Sequence, residues 1–197
     1  MTVISPEFSF VYGRTIVHSD INHCYAQIEE MLNPELKKQS MAVGGSQEER
    51  HGIILAKNLH AKKYKIQTGE ILDEAWLDLT DSQRLFGPAQ QIAQTIQQRV
   101  YTELGLTISI GLSFNKIFAK MASDFVKPSG FVTVNRTNFQ EKIYPLSVRE
   151  LFYVGAATQK KLQAWGILTI GDLAAQDRQF MRRHFGKVGE MLHWFAL

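Results

Sequence analysis

The sequence predicts an α+β fold with one sheet and a smaller helical unit. Strand-like apolar segments alternate with helix-like segments from Thr15 to Val134, which is the pattern of a sheet with helices packed on one face. From about residue 145 the strand signals stop, and short helical segments alternate with glycine turns. The 197 residues are 45% hydrophobic, which is enough to bury a core.

Strands and one helix are predicted in the first third of the chain. The segment TIVHSD (15–20) is short and β-branched and ends in an acid, so it predicts a strand. Residues 23–31 have the spacing of a helix. The runs MAVGG (41–45) and GIILAKN (52–58) are separated by the polar segment SQEERH. They predict a pair of strands, or a strand and a loop.

Further elements are predicted in the middle of the chain. The run ILDEAWLDLT (71–80) has a strand pattern but carries three acids. A helix is predicted from Pro88 to Gly105, because apolar side chains repeat there at helical spacing and the glycine is a typical stop. Asn115 can cap another helix that ends near Val126. The remaining strands are predicted at 106–114 and 131–134.

Composition and charge exclude several classes of protein. The formal net charge of +3 and the pI near 8.9 permit a polyanionic partner without requiring one. The single cysteine, Cys24, excludes an internal disulfide framework and a cysteine-rich zinc site, and it is typical of a reducing cytosol. The chain shows neither a secretory signal nor a run long and apolar enough to span a membrane. We therefore expect a cytoplasmic protein without membrane contact.

Acidic residues near strand ends suggest a metal site. Asp20 closes the first strand, and Asp73 and Glu74 lie near the start of the strand 71–80. Carboxylates that converge at neighbouring strand ends suit Mg²⁺, although ordinary turn or capping roles also explain each acid alone. Neighbours in a regular strand point to opposite faces, so the adjacent pair can share a metal only if the strand is bent or begins there. Asp78 is then a structural or solvent-facing residue.

Lysines and glycine turns suggest contacts with phosphate groups. Lys116 and Lys120 lie four residues apart on one predicted helix, and therefore on one face. Opposite an acidic metal site they would suit a triphosphate, whereas a solvated helix face is the alternative. The turns at Gly155 and Gly171 each precede a predicted helix and would expose backbone N–H groups to a nucleic-acid phosphate. Simple packing of helical hairpins is the alternative there.

Taken in order, these segments resemble the motifs of the Y-family DNA polymerases, the bacterial lesion-bypass enzymes of the DNA polymerase IV and UmuC kind (the impB/mucB/samB family). The segments are HSDINHCYAQIEE, NLHAKK, LDEAWLD, SFNKIFAKMASDFVKPSG and LFYVGAATQKKLQAWGILTIGDLA. The resemblance covers almost the whole chain from Thr15 onward. It implies template-directed DNA synthesis past damaged bases, with primer-template DNA and deoxynucleoside triphosphates as substrates and two Mg²⁺ ions as cofactors.

The resemblance also implies roles for individual residues. The implied metal ligands are three acids and one backbone carbonyl, Asp20, Ile21, Asp73 and Glu74. The adjacent pair Asp73 and Glu74 is implied to be catalytic. The implied nucleotide contacts are an aromatic residue that excludes the ribose 2′-hydroxyl and two lysines, namely Tyr25, Lys62 and Lys120. The implied DNA contacts are Gly155 and Gly171.

The family fold implies three units. They are a ferredoxin-like palm sheet at 1–32 and 71–144, a reduced fingers segment at 33–70, and a helix-hairpin-helix thumb at 145–197. Family members carry several tens of further residues where Glu70 adjoins Ile71 here. They also have a C-terminal DNA-gripping region, the expected contact for a sliding clamp. Because the sequence lacks both parts, an inactive chain on its own is compatible with the resemblance.

Some positions depart from the family pattern. Cys24 stands where a second aromatic is usual, and Leu72 where a serine is usual. Leu59 replaces a tyrosine and Lys62 an arginine; the lysine keeps the charge but loses the bidentate fork. Two other functions stay open. One is a non-catalytic DNA-binding or accessory fragment, and the other is a different palm-type nucleotidyl transferase or cyclase.

Overall fold

A computed structural model describes residues 13–44, 54–63 and 74–197. In chain order, the strands are β1 (Ile16–Ile21), β2 (Ala42–Gly44), β3 (Ile54–Lys57), β4 (Glu74–Asp78), β5 (Ile108–Ser113) and β6 (Phe131–Val134). The α-helices are α1 (Cys24–Leu32), α2 (Leu59–Lys62), α3 (Gln83–Phe86), α4 (Ala89–Leu104), α5 (Lys116–Phe125), α6 (Phe139–Ile143), α7 (Ala156–Ala164), α8 (Ile170–Ala174) and α9 (Arg178–Phe195). Short 3₁₀ helices lie at Pro34–Lys38 and Val148–Glu150.

The main sheet has four strands in the order β4, β1, β5, β6. The strand β1 is antiparallel to both of its neighbours, and β5 pairs with β6 in parallel. The strands β2 and β3 form a separate antiparallel pair. The predicted α+β class is therefore confirmed, and so is the pair of strands predicted between residues 41 and 58.

The helices α4 and α5 cover opposite faces of the sheet, which corrects the prediction of helices on one face. Ile110 belongs to a buried cluster that includes Ala93 of α4. The next residue, Gly111, faces α5 so closely that a Cβ there would lie 1.9 Å from the carbonyl oxygen of Ala119. Successive strand residues point to opposite faces, and all of β5 is buried. Both faces of β5 are therefore covered.

Two helix ends agree with the sequence prediction. Gly105 follows α4 with a φ of 67°, a left-handed conformation that costs glycine little. Asn115 precedes α5, and its side chain accepts a hydrogen bond of 2.7 Å from the amide of Phe118. Such a cap satisfies one of the free amides at the start of a helix. It fixes the point at which α5 begins, and thereby the direction of the lysines along it.

The C-terminal helices share one hydrophobic core with α5. A continuous buried cluster joins Phe118 and Met121 to Ile143, Leu162 and Leu192, among other residues. The change from strands to helices near residue 145 is observed, while the division into palm, fingers and thumb units remains a prediction. Among the described residues, no helix is both long and apolar enough to cross a membrane.

Candidate active site

Asp20 and Glu74 lie directly opposite each other on β1 and β4. Directly opposed residues of antiparallel strands share a face, with Cβ atoms about 5 Å apart. The Asp20 side chain is 8% exposed and that of Glu74 is 28% exposed. The strand β4 begins at Glu74. A strand that begins at this point is one of the two conditions under which adjacent acids can share a metal. Asp73 lies outside the described residues, and its place as a ligand stays a prediction.

Two lysines of the α5 region form ion pairs with these acids. The ammonium of Lys120 pairs with Oε1 of Glu74, and that of Lys127 pairs with Oδ2 of Asp20. Lys120 also lies 5.6 Å from the ring centroid of Phe152, in the loop before α7. The cap at Asn115 and the packing of α5 on β5 hold Lys120 on the acidic face, whereas Lys127 lies in the turn after α5. Asp20 and Glu74 therefore each have a lysine partner.

Lys127 keeps its positive charge in this setting. Burial by itself disfavours the charged ammonium, but hydrogen bonds to Asp124, at 2.8 Å, and to Asp20 outweigh it and raise the pKa of Lys127. A permanent cation next to Asp20 favours the ionised carboxylate. The site thus holds a cation beside one of its carboxylates.

His18 lies on the same face, two residues before Asp20 in β1. It is fully buried, and its ring meets that of Trp76 on β4 at a centroid distance of 4.7 Å. Nδ1 lies 2.8 Å from the hydroxyl of Ser123 in α5, and Nε2 lies 3.5 Å from Oε2 of Glu74. Burial, reinforced by the charge of Lys120, lowers the pKa of His18. The imidazole is therefore neutral at physiological pH.

Three other residues to which the sequence analysis gave a role are Asp78, Tyr25 and Ile21. Asp78 accepts hydrogen bonds from the amide and the hydroxyl of Thr80 and lies 3.5 Å from Arg14, which fits the structural role expected of it. Tyr25 lies half-buried in the first turn of α1. Ile21 ends β1 directly after Asp20. The roles of these last two residues remain predictions.

The other two predicted lysines also lie on helices. Lys62 closes α2, and its contact with a triphosphate stays a prediction. Lys116 begins α5 one turn before Lys120 and is exposed. Its carbonyl oxygen accepts a hydrogen bond of 3.2 Å from the indole of Trp76. The first turn of α5 is thereby attached to β4.

The two glycine turns of the C-terminal part differ from each other. Gly155 caps α7 without a side-chain hydrogen bond, and it is exposed with open space around it. Gly171 lies inside α8 and donates its N–H to the carbonyl of Tyr144 at 3.0 Å. The DNA contact predicted for Gly171 assumed a free amide before the helix, and that premise is wrong. The turn lies earlier, at Gly166, which has a φ of 76°.

An apolar cleft of about 730 Å³ lies between the sheet and the C-terminal helices. Trp76 and Lys116 line it on the sheet side, while Tyr153 and Trp194 line it on the helical side. Arg14 adds a second cation to its lining. The cleft therefore joins aromatic surface to positive charge.

Among the described residues, no group of three or more His, Cys, Asp and Glu side chains is arranged to hold a metal ion. The third predicted carboxylate, that of Asp73, lies outside them. The two described acids offer hard oxygen donors on one face, the type that Mg²⁺ prefers. This donor set fits the implied ion.

Sequence reasoning missed His18, Ser123 and Lys127. Residues two apart in a strand share a face, so the spacing in HSD (18–20) already placed His18 beside Asp20. Lys127 belongs to the quoted segment KPSG but was assigned no role. Its link to Asp20 depends on how the chain turns after α5, and no local pattern reports that.

Comparison with known protein families agrees with the family resemblance of the sequence motifs. The model of the impB/mucB/samB family matches residues 19–72 and 68–124. DNA polymerase IV of Acetivibrio thermocellus is 40% identical over 226 residues, covering 93% of this chain and 57% of that protein. DNA polymerase IV of Clostridium kluyveri is 33% identical and covers 93% and 56%. The chain thus spans a little over half the length of these relatives.

The alignment with the Acetivibrio relative is longer than this chain of 197 residues. That relative therefore contains residues without a counterpart here. The two family matches meet at 68–72, which is where the sequence predicts a shortened segment.

Solved structures share the fold. DinB from Sulfolobus solfataricus superposes with a TM-score of 0.79 at 22% identity, covering 92% of this chain and 66% of that one. An insertion ternary complex of Dbh DNA polymerase gives a TM-score of 0.80 at 21% identity, with coverage of 92% and 67%. At this level of identity the likeness concerns the fold alone.

Proposed function

Since the chain belongs to the impB/mucB/samB family, we propose that it is the catalytic part of a lesion-bypass DNA polymerase. The observation that carries the proposal is the opposed pair Asp20 and Glu74, with Lys127 and Lys120 beside it. Acids and ammonium groups on one face match a reaction in which metal ions and a triphosphate meet. The relatives are named DNA polymerase IV, so DNA synthesis is the reaction that we infer.

The metal ligands in this proposal are Asp20, Glu74 and Asp73, together with the backbone carbonyl of Ile21. Family membership implies two Mg²⁺ ions. Bound Mg²⁺ would lower the pKa of the primer 3′-hydroxyl and stabilise negative charge at the α-phosphate. The protein contributes fixed carboxylates on a rigid strand pair, so the ligands need little reorganisation.

The nucleotide would be held by lysines of α5 and of the turn that follows it, together with a residue of α1. Lys120 and Lys127 place ammonium groups beside the carboxylates, where they would bind the triphosphate of the nucleotide. Lys62 would add a third cation. Tyr25 would lie against C2′ of the sugar and exclude ribonucleotides. Each contact acts by position and charge, and no side chain serves as a covalent nucleophile.

Primer-template DNA would lie along the cleft between the sheet and the C-terminal helices. Gly155 presents the uncapped start of α7 to a phosphate, and Arg14 and Lys116 add positive charge to the cleft lining. Binding of this kind weakens with salt, since it depends on phosphate contacts. A sliding-clamp partner and a cytoplasmic location complete the proposal.

Primer extension tests the proposal. The wild-type chain, in excess over a labelled primer-template with Mg²⁺ and deoxynucleotides, is expected to add nucleotides. Glu74→Ala is expected to reduce the rate at least about 100-fold, because charge stabilisation by a metal is worth several kcal/mol. DNA retention measured by fluorescence anisotropy should stay close to that of the wild type.

Asp78→Asn is the matched control, since Asp78 lies on the same strand but its carboxylate binds Thr80 and Arg14. It should extend primers at the wild-type rate. A chain that retains DNA without incorporating nucleotide favours an accessory role. Conversion of free triphosphate without any primer extension favours a cyclase or another transferase.

A further inference from the structure

Three aromatic side chains face solvent around the cleft between the sheet and the C-terminal helices. Trp194 is 72% exposed, Tyr153 is 63% exposed and Trp76 is 37% exposed, and all three line the cleft. Large aromatic residues usually bury most of their surface, and exposed apolar surface gathered in one concave place is typical of a binding site. Trp76 lies two residues after Glu74 on β4, so the aromatic surface reaches the face of the sheet that carries this acid.

The backbone of Tyr153 adopts a conformation that suits glycine. Its φ is 72°, in the left-handed region, which is unfavourable for a bulky side chain. Its ring centroid lies 4.2 Å from that of Phe152 and 5.9 Å from that of Phe195, yet most of the residue stays exposed. Packing therefore explains little of why a tyrosine stands here. Strained positions of this kind are frequent where proteins hold ligands, so the exposed ring points to a ligand.

Positive charge surrounds this aromatic surface. Arg14 and Lys116 line the cleft, and no acid is among the described residues that line it. Arg14 lies 3.5 Å from Asp78 but remains exposed. Arg136 adds a third cation, with its guanidinium 4.6 Å from the ring centroid of Phe114, which also belongs to the lining. Aromatic rings combined with cations fit a single-stranded nucleic acid, whose bases stack on the rings while its phosphates pair with the cations.

We propose that the cleft binds single-stranded DNA, with unpaired bases stacked on Trp194 and Tyr153 and phosphates paired with Arg14 and Lys116. A duplex cannot use the rings in this way, because the faces of its bases are covered by neighbouring bases. The choice of DNA as the nucleic acid rests on the proposed function. The inference adds that DNA in this cleft is held as an unpaired strand, through its bases as well as its phosphates.

Fluorescence anisotropy with two labelled strands tests the inference, in EDTA and without nucleotides, so that no metal-dependent step contributes. One probe is a strand of thymidines, and the other is an abasic strand with the same number of phosphates. The chain is expected to bind the thymidine strand at least about 5-fold more tightly, since each stacked base adds to the affinity. Equal affinity for the two strands would overturn the inference, because phosphate contacts alone would then account for binding.

Trp194→Ala is expected to weaken binding of the thymidine strand at least about 5-fold, and to leave the affinity for the abasic strand and for a blunt hairpin duplex unchanged. Trp165→Ala is the matched control. Trp165 is 52% exposed and follows α7, but it is not among the described residues that line the cleft. It should bind every probe like the wild type. Equal losses in the two variants, or a loss of the abasic strand equal to that of the thymidine strand, would contradict stacking on Trp194.

Tyr153→Gly separates binding from folding. Glycine adopts a φ of 72° without strain, so circular dichroism should show a folded chain that binds the thymidine strand at least about 5-fold more weakly. Tyr153→Phe keeps the ring and should bind like the wild type. An unchanged affinity in Tyr153→Gly argues against a stacking role for this residue.

Failure of this inference and failure of the proposed function give different results. A chain that binds the thymidine strand through Trp194 but does not extend primers contradicts the proposed function alone. A chain that extends primers but binds the thymidine and abasic strands equally contradicts the inference alone. A dimer in sedimentation that Trp194→Ala dissociates, without any preference for the thymidine strand, would show that a second copy of the chain covers the rings, and the inference would then be wrong.

Discussion

Asn58 uses the whole hydrogen-bonding capacity of its side chain inside the fold. Its oxygen accepts from the amides of Met41 and Ala61, and its NH₂ donates to Glu30 and to the carbonyl of Gln39. The residue is only 3% exposed. A single amide therefore joins α1, the chain before β2 and the start of α2.

Asn58→Ala is expected to lower the free energy of unfolding by about 2–4 kcal/mol, because several buried groups lose their partner at once. Urea unfolding followed by circular dichroism measures the change. Asn33→Ala provides the control: Asn33 is exposed, and the expected change is within about 0.5 kcal/mol. Equal stability of the two variants would contradict the role given to Asn58.

Single residues also show how far the sequence could predict the site. The motifs placed Asp20, Glu74 and Lys120 on one site, and the structure brings these three together. His18 and Lys127 were missed, because their contacts depend on the pairing of distant strands and on the turn after α5. Gly171 was expected before a helix but is the second residue of α8, since a Thr–Asp cap starts that helix at Thr169.

At the scale of elements, the close approach of α5 to β5 depends on Gly111. A Cβ at this position would also lie 2.5 Å from the amide nitrogen of Ser123. These are backbone atoms of a packed helix, so no side chain can turn aside to make room. The apolar alternation of β5 was predictable, whereas the need for a bare backbone at Gly111 follows only from the helix above it.

Gly111→Ala is expected to cost at least about 3 kcal/mol of stability, because α5 must move away from the sheet. Thermal and urea unfolding measure the loss. Gly155→Ala is the matched control, since a Cβ at Gly155 meets no atom within 4 Å, and the expected cost is under about 1 kcal/mol. A stable Gly111→Ala chain with wild-type cooperativity would show that α5 is not closely packed here.

The start of α8 gives stability that depends on pH. Asp172 accepts hydrogen bonds from the amides of Thr169 and Leu168, and its own amide binds the Thr169 hydroxyl. Hydrogen bonding to the Thr169 amide, then to the Thr169 side chain and the Leu168 amide, lowers the pKa of Asp172. A folded-state pKa below the unfolded one gives stability above the ordinary aspartate pKa of about 3.9. That stability is lost as pH falls through the folded-state value.

Asp172→Asn is therefore expected to unfold at lower urea concentration than the wild type at pH 7. The difference between the two should shrink below about pH 4, where the wild-type carboxyl becomes protonated. Thr169→Ser keeps the capping hydroxyl and should retain the wild-type dependence on pH. A gap between Asp172→Asn and the wild type that stays constant down to pH 2 would argue against this charge effect.

At the scale of the whole molecule, the sheet and the C-terminal helices are stabilised by one core. The cluster that begins with Phe114 and Phe118 continues through Leu151 and Ile167 to Ala196. Sequence reasoning predicted a boundary near residue 145 because the type of element changes there. A change of element type does not require a break in packing, and the buried contacts cross this point.

Cooperative unfolding of the whole described fold is the expected result. In one variant only Trp76 of β4 is retained, and in another only Trp165 after α7, with phenylalanine at the other tryptophans. In each variant, the urea curves from tryptophan fluorescence and from far-ultraviolet circular dichroism should coincide. Separate midpoints within one variant would show that the helical part unfolds independently.

The pairing of β1 with β4 makes the site insensitive to the length of the chain that connects them. Asp20 faces Glu74 because of strand register, and a slip of one residue would turn one of the two acids to the opposite face. Residues can therefore be lost or gained between the two strands without moving the carboxylates apart, provided that this pairing is kept. The chain between β1 and β4 can therefore vary in length. The relative position of the two acids is set by the register of the strands.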